Sequence, residues 1–248
     1  MSQANSHSKI IQTDKTVLII ADLHLLAGDV KKNQLFERFC QQAKSADQVF
    51  ILGDLFNTWL GDDLSLPHYQ ATIQLLKDLC KSVDVLVMTG NRDFLLSQAF
   101  VQQTNCKLIN TPYLLELGKH QYVLTHGDEL CTDDESYQQM KTILQHPITK
   151  AVFVHLPKKW RLKLSGQLRK KSVDAQQAKS REIMDVNPQT VNELMGKYPG
   201  ADLIHGHTHR LNTHTEKTFT RYVLGDWPDS KGNAIKITSQ SLSRLEIS

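Results

Sequence analysis

Nowhere in the 248 residues does an apolar run approach the ~20 residues that a membrane-spanning helix needs, so any membrane contact must be peripheral. The start, Met1 to Lys9, is polar and lacks the apolar centre of a secretory signal. Cysteine is scarce. Cys40, Cys80, Cys106 and Cys131 stand far apart without a Cys-x-x-Cys pair, which argues against a zinc knuckle or a disulfide framework and fits a reducing cytoplasm. Excess charge of one sign is also missing: 29 Lys and Arg against 26 Asp and Glu leave a net +3, so bulk charge gives no warrant for a nucleic-acid partner, and none is expected. There is no internal repeat and no low-complexity tract. What is present, 40% hydrophobic content over this length, is enough for a substantial core in one enzyme-sized domain, with or without an insertion.

The chain alternates apolar runs with helical patterns, and each apolar run ends in polar residues. Thr16 to Ala21 is a β-branched run without helical period, consistent with a buried strand, and it ends in Asp22-Leu-His24. Residues two apart at a strand end point to one side, so Asp22 and His24 can share an ion. Leu35, Phe36, Phe39, Ala43 and Ala46 recur at helical spacing before the strand Gln48 to Leu52, which runs into Gly53-Asp54. Strand, helix, strand implies a right-handed crossover and a parallel pairing, an α/β arrangement that brings Asp54 beside the first loop. Pro67 is expected in the first turn of the next helix, with Ile73, Leu76 and Cys80 on one face. The strand Asp84 to Thr89 then ends in Gly90-Asn91-Arg92-Asp93. Gln121 to Thr125 runs into His126-Gly-Asp128, Ala201 to His205 enters His205-Gly-His-Thr-His-Arg210, and Phe219 to Leu224 could extend a sheet. Three imidazoles at alternate positions, His205, His207 and His209, can gather round a metal if Gly206 permits a tight turn.

Between the last two motifs, roughly Asp134 to Lys197, helical patterns interrupt the strand rhythm and read as an insertion within a single domain spanning 1–248. Residues 158–171 carry seven basic residues and no acidic one, with Trp160, Leu162, Leu164 and Leu168 interleaved. Such a stretch suits an anionic membrane surface or a negatively charged amphiphile. The plain alternative is a solvated helix with a few packed leucines.

Asp22, His24, Asp54, Asn91, His126, His207 and His209 together offer seven oxygen and nitrogen ligands, too many for one ion that keeps an open position. Two ions sharing a carboxylate explain the count. A carboxylate, amide and imidazole set without thiolate suits Mn²⁺ or another borderline divalent ion. Two metals roughly 3.5–4 Å apart activate a water and clamp a phosphoryl group, so a phosphoester or phosphoanhydride is the expected substrate.

The ordered motifs Asp-x-His, Gly-Asp, Gly-Asn, His and Gly-His-x-His, spanning residues 22–209, resemble the calcineurin-like metallophosphoesterase family. The resemblance implies two packed mixed β-sheets flanked by helices. It also implies one metal on Asp22, His24 and His209, a second on Asn91, His126 and His207, and Asp54 as the bridge. Many members carry histidine after the Gly-Asn pair, assigned as proton donor to an alkoxide, where this chain has Arg92. Arginine cannot usefully donate, but it can hold a phosphate with two parallel hydrogen bonds and neutralise transition-state charge. A phosphate leaving group, whose second pKa is ~6, needs no such donor, so Arg92 favours pyrophosphate cleavage. An Arg92–Asp93 ion pair is the structural alternative.

The strings Ala21-Asp-Leu-His-Leu25, Gly53 to Asp63, Gly90 to Leu95, His126 to Asp134 and Ile183-Met-Asp-Val-Asn187 are similar to the branch of that family which hydrolyses UDP-2,3-diacylglucosamine in lipid A synthesis. That likeness implies water attack on the α-phosphorus, release of UMP and 2,3-diacylglucosamine 1-phosphate, and a peripheral place on the cytoplasmic face of the inner membrane. Asn91, Arg92, Asp134, Ser172, Gln176, Lys179 and His207 would contact substrate, and the insertion would form a lid. No obligate protein partner is expected. Leu211 stands where proline usually follows His-Thr-His-Arg, and Asn57 where an acidic residue is common. The same metal pair could serve a nucleotide phosphodiesterase or nuclease. A protein-binding scaffold would have no need of all seven ligands.

Overall fold

The computed structural model describes residues 10–11, 15–177, 183 and 185–248, apart from the side chains of 10, 11 and 171–177. The first sheet-forming run, β1 (Ile10–Ile11), is short, and β2 (Val17–Ile20) follows it. Helix α1 (Val30–Ala43) starts where the Asp29 carboxylate accepts the Lys32 N–H at 3.1 Å, and it buries Leu35, Phe36, Phe39, Cys40 and Ala43 along one stripe. Then come β3 (Gln48–Leu52), the single turn α2 (Asp62–Ser65), α3 (Gln70–Leu79) and β4 (Asp84–Met88). Pro67 lies in a separate 3₁₀ turn, Leu66–His68, ahead of α3, because the Leu66 carbonyl is taken by Tyr69 before the helix begins. Next are α4 (Gln98–Thr104), β5 (Lys107–Ile109), β6 (Tyr113–Leu117) and β7 (His120–Thr125). Helices α5 (Glu135–Gln145), α6 (Pro147–His155), α7 (Lys158–Gln177) and α8 (Pro188–Met195) occupy the expected helical stretch. The chain closes with β8 (Asp202–His205), β9 (Asn212–Thr215), β10 (Thr220–Val223), β11 (Gly232–Ile237) and β12 (Leu242–Ile247).

The strands form two mixed six-stranded sheets, ordered β12-β11-β2-β3-β4-β5 and β1-β6-β7-β8-β10-β9. Strands β2 to β5 run parallel, as the crossover rule requires, and β7, β8 and β10 are parallel in the other sheet. Val17, Ile19, Phe50, Leu52, Leu86 and Met88 face Leu115, Leu117, Tyr122, Leu124 and Ile204 across the space between the sheets. The alternate residues Leu18, Ile20, Val49, Ile51, Val85 and Val87 pack under α1, α3 and α4, while Val123 and Leu203 meet Val191 and Met195 of α8. The central strands are therefore buried on both faces, which is why they read as continuous apolar runs. Six strands went unread: β1, β5, β6, β9, β11 and β12 are short or flank no polar motif.

Register places the site. Ile20 lies opposite Ile51 and Leu52 opposite Met88, so the residues after β2, β3 and β4 emerge from one edge. In the other sheet Thr125 pairs with His205, so His126 and Gly206 leave their strands side by side.

Candidate functional site

The loops beyond those strand ends are bent in an uncommon way. Asp22, His24, Asp54, His207 and His209 all have positive φ, between 49° and 66°, and among the described non-glycine residues only Asn105 shares this conformation. Left-handed backbone costs an L-residue on the order of 1–3 kcal/mol, and it persists only where surrounding contacts enforce it. Here Asp22 donates its N–H to the Gly53 carbonyl (3.2 Å), His24 to the Asp54 carbonyl (2.9 Å), and Gly206 to the His126 carbonyl (3.0 Å). Two glycines let the loops meet. A Cβ at Gly90 would stand 2.2 Å from Asp54 Oδ1, and one at Gly206 2.2 Å from Asp22 Oδ2.

All seven expected ligands converge. Asp22, His24 and His209 offer ligand atoms that lie within 4.8 Å of one another, and so do Asp22, Asp54 and His126. His24 Nε2 is 3.1 Å from His209 Nε2, and His209 Nε2 is 3.4 Å from Asp22 Oδ1. Asn91 Oδ1 sits 3.1 Å from both His126 Nε2 and His207 Nδ1, which joins those two to the second group. Asp54 spans the groups, with Oδ2 3.7 Å from His24 Nδ1 and Oδ1 3.9 Å from His126 Nε2, while Asp22 belongs to both triads. His126 donates from Nδ1 to the Leu52 carbonyl at 2.8 Å, which leaves Nε2 available to a metal ion. Asp22 is aimed in the same way, its Oδ2 accepting the His207 N–H at 2.7 Å.

Without a cation these groups hold one another's charge. Burial pushes the Asp54 carboxyl up, to about 7, although His126 opposes it. His126 is driven down by burial, but the carboxylates of Asp54, Asp22 and Asp128 outweigh that and raise it to about 9. Burial and the His126 charge depress His207 to about 3. Asp22 Oδ1 and His24 Nδ1 are buried with no hydrogen-bond partner, an expensive arrangement that a cation would relieve. The donor set thus fits divalent ions.

His205 does not join them. It is fully buried, directs Nδ1 to the Gly206 carbonyl at 2.9 Å and takes Arg221 Nη1 at 3.4 Å, because the chain turns at Gly206 before the next imidazole. Arg92 does not pair with Asp93 either. Asp93 is fully buried and spends its oxygens on the N–H groups of Gly90 (2.7 Å) and Phe56 (3.3 Å). Arg92 instead leans over Asp54, with Nε 3.5 Å from Oδ2 and its own N–H on Oδ1 at 2.8 Å, and donates from Nη1 to Asn57 Oδ1 at 2.8 Å.

Of the remaining expected contacts, Asp134 caps α5 by accepting the Tyr137 N–H at 3.0 Å. Ser172 and Gln176 lie in the last turns of α7, with side chains outside the described residues, and Lys179 lies wholly outside them. Some neighbours carried no distinct sequence signal. The Tyr137 ring lies 5.9 Å from that of His207, and its hydroxyl donates to Asp128, which also pairs with Lys141 at 2.8 Å. Asp226 Oδ2 lies 3.8 Å from His209 Nδ1. Only Asp128, two residues after His126, could have been flagged from its motif.

The family model for calcineurin-like phosphoesterase matches residues 15–211. This chain belongs to the calcineurin-like phosphoesterases, a family whose activity depends on divalent metals. Within it, the chain groups with proteins named UDP-2,3-diacylglucosamine hydrolase. The one from Haemophilus ducreyi is 39% identical over 232 residues, covering 93% of this chain and 99% of that protein. The one from Pseudomonas putida KT2440 is 39% identical over 230 residues, 90% of this chain and 95% of its own length. The one from Tolumonas auensis is 40% identical over 219 residues, with coverages of 86% and 89%.

Proposed function

We propose that this chain hydrolyses the pyrophosphate bond of UDP-2,3-diacylglucosamine, with water attacking the α-phosphorus to release UMP and 2,3-diacylglucosamine 1-phosphate. The observation that carries the reading is the convergence of all seven donors in a chain that matches relatives of that name over almost its full length. Asp22, His24 and His209 hold one divalent ion, Asn91, His126 and His207 a second, and Asp54 lies between. The oxygen and nitrogen set favours Mn²⁺. When bound, such a pair supplies an activated water and positive charge against the phosphoryl oxygens.

Arg92 binds a phosphate oxygen beside Asp54 and neutralises charge that grows in the transition state. It is one-third exposed, so a ligand can reach its guanidinium although Nη1 already donates to Asn57. No proton donor is required at that position, because a departing phosphate is stable as an anion. Asn91 and His207, already 3.1 Å apart, face the same space, while Asp134, Ser172, Gln176 and Lys179 take the more distant parts of the substrate.

Helices α5 to α7, within the insertion at roughly 134–197, act as a lid for the acyl chains. Ile148, Val152, Trp160, Leu162 and Leu164 are exposed among Lys158, Lys159 and Lys163, a surface suited to an amphiphile whose anionic head lies beside its tails. No helix of the described residues is long and apolar enough to cross a membrane, and this basic, apolar face supports the reading of peripheral contact with an anionic bilayer. Each buried methylene of an acyl chain contributes ~0.8 kcal/mol, so the tails supply binding energy that a sugar nucleotide lacks.

Metal-reconstituted protein incubated in ¹⁸O water with UDP-2,3-diacylglucosamine should place the label in UMP. Turnover of a nucleotide diester alone, or label in the sugar phosphate, would replace the assignment with a nucleotide phosphodiesterase or with attack at the other phosphorus.

A further inference from the structure

Helices α5 and α6 bury no residue, and between residues 135 and 170 a single side chain is buried, that of Arg161. It is 2% exposed, among the largest fully buried side chains described. Phe153 and Val154 add only partly buried contacts with the main core. An excursion of this length would ordinarily be held by leucines. Here α5 is tied to the loop after β7 by Tyr137, Gln138 and Lys141, through Asp128 and Cys131, and the one buried side chain beyond it, up to residue 170, is a guanidinium.

The contact is specific. Arg161 reaches Asp63 with a fork, Nη1 on Oδ1 at 2.7 Å and Nη2 on Oδ2 at 2.5 Å, and Nη1 also donates to the Leu60 carbonyl at 2.8 Å. Gly61, at φ +101°, makes room, since a Cβ there would stand 2.7 Å from Nη1. Lys158 adds a hydrogen bond to the Asp63 carbonyl at 3.2 Å. The receiving loop is rigid, because the neighbouring Asp62 binds Trp59 Nε1, the Ser97 hydroxyl and the Phe100 N–H. Eight residues further along the helix, roughly 12 Å, Arg169 reaches Thr58 Oγ1 (3.3 Å) and Asn57 Oδ1 (3.4 Å), the oxygen that also receives Arg92. The segment from Asp54 to Asp63 therefore carries a ligand carboxylate at one end and the helix anchor at the other.

We propose that the Arg161–Asp63 fork is the positioning contact that docks helices α6 and α7 beside the ligand loops, so that it governs binding of acylated substrate and leaves the chemical step alone. The function proposed above is assumed for the substrate named. A polar anchor suits a segment that must open and reseat: Asp63 is half-exposed, so water can replace the fork when the helices lift, whereas an apolar plug would lose its burial outright.

Arg161→Met and Asp63→Asn each remove the fork by a different route, and Arg161→Lys keeps the charge without the fork. Amide hydrogen exchange without substrate should speed up about tenfold or more across residues 147–170 in the first two variants and less in the third, with β2 to β4 unchanged. KM for UDP-2,3-diacylglucosamine should rise about tenfold while kcat stays within about twofold and metal content is unaltered, the signature of lost ground-state binding. Uniform or unchanged exchange overturns the anchor. A fall in kcat at constant KM, or faster exchange with unchanged KM, overturns its role in substrate binding. The exchange measurement needs no turnover, so a parent protein inactive on this substrate would sink the proposed function and leave the anchor decided on its own data.

Discussion

The strand-end loops and the helical arm are built on opposite terms. The loops rest on two sheets whose central residues are buried on both faces, and each fully buried large apolar side chain contributes roughly 1.5–3 kcal/mol. That reserve holds five left-handed residues of the candidate site in place and keeps their buried oxygens and imidazoles converging. Among the described residues the arm buries only Arg161, and it leans on that side chain together with the contacts of Tyr137, Gln138 and Lys141 to Asp128. The contrast separates two tasks. Placing seven donors needs rigidity that only a deep core supplies, whereas the lid role proposed for the arm needs a surface that can yield.

The sharpest way to break the contrast is at Asp54, where the rigid half is expected to fail completely. Asp54→Ala should abolish turnover and weaken both metals, as read by metal content after dialysis. Two tightly retained ions per chain would show that Asp22, which belongs to both triads, is the shared carboxylate instead. Arg92→Ala should lose ~10²-fold or more in rate with metal content intact, and lysine should rescue poorly because it cannot reproduce the fork. Near-normal rates at saturating metal would reduce Arg92 to a structural partner of Asn57. The smallest effect belongs to the arm. Leu164→Ser combined with Leu168→Ser should raise KM for the diacylated substrate about tenfold and barely alter slow cleavage of a deacylated analogue. Equal losses on both substrates would mean that the arm supports the metal loops and that the two regions are not separable.

Much of the fold and the site was legible in the chain. The runs at 17–20, 48–52 and 84–88 are unbroken because both faces of those strands are buried, and each ends in a carboxylate or amide. Hairpin β11–β12 and the edge strands were not, since buried β11 and largely exposed β12 alike end in no polar motif. The basic stretch was legible as a stretch but not residue by residue. Arg161 counts as one of its seven cations in the sequence and is the one buried among those whose side chains are described, because Gly61 leaves a space and Asp63 a partner 98 positions away. Asn57, noted only as a departure from an acidic position, joins Arg92 to Arg169.

The sequence by itself determined the donor chemistry: two carboxylates, one amide and four imidazoles in a fixed order, without a thiolate, on the ends of parallel strands. It also determined that no membrane-spanning helix is encoded. Which imidazoles serve was a tertiary decision. His205, His207 and His209 are equivalent as text, but the turn at Gly206 presses against Asp22 and sends His205 into the protein while it turns the other two outward. The partner of Arg92 was decided the same way, since Asp93 is claimed by backbone N–H groups that no linear pattern reveals. Spacing along a chain records which groups can meet. Burial and competition for hydrogen-bond partners, which exist only once distant segments are packed, decide which ones do.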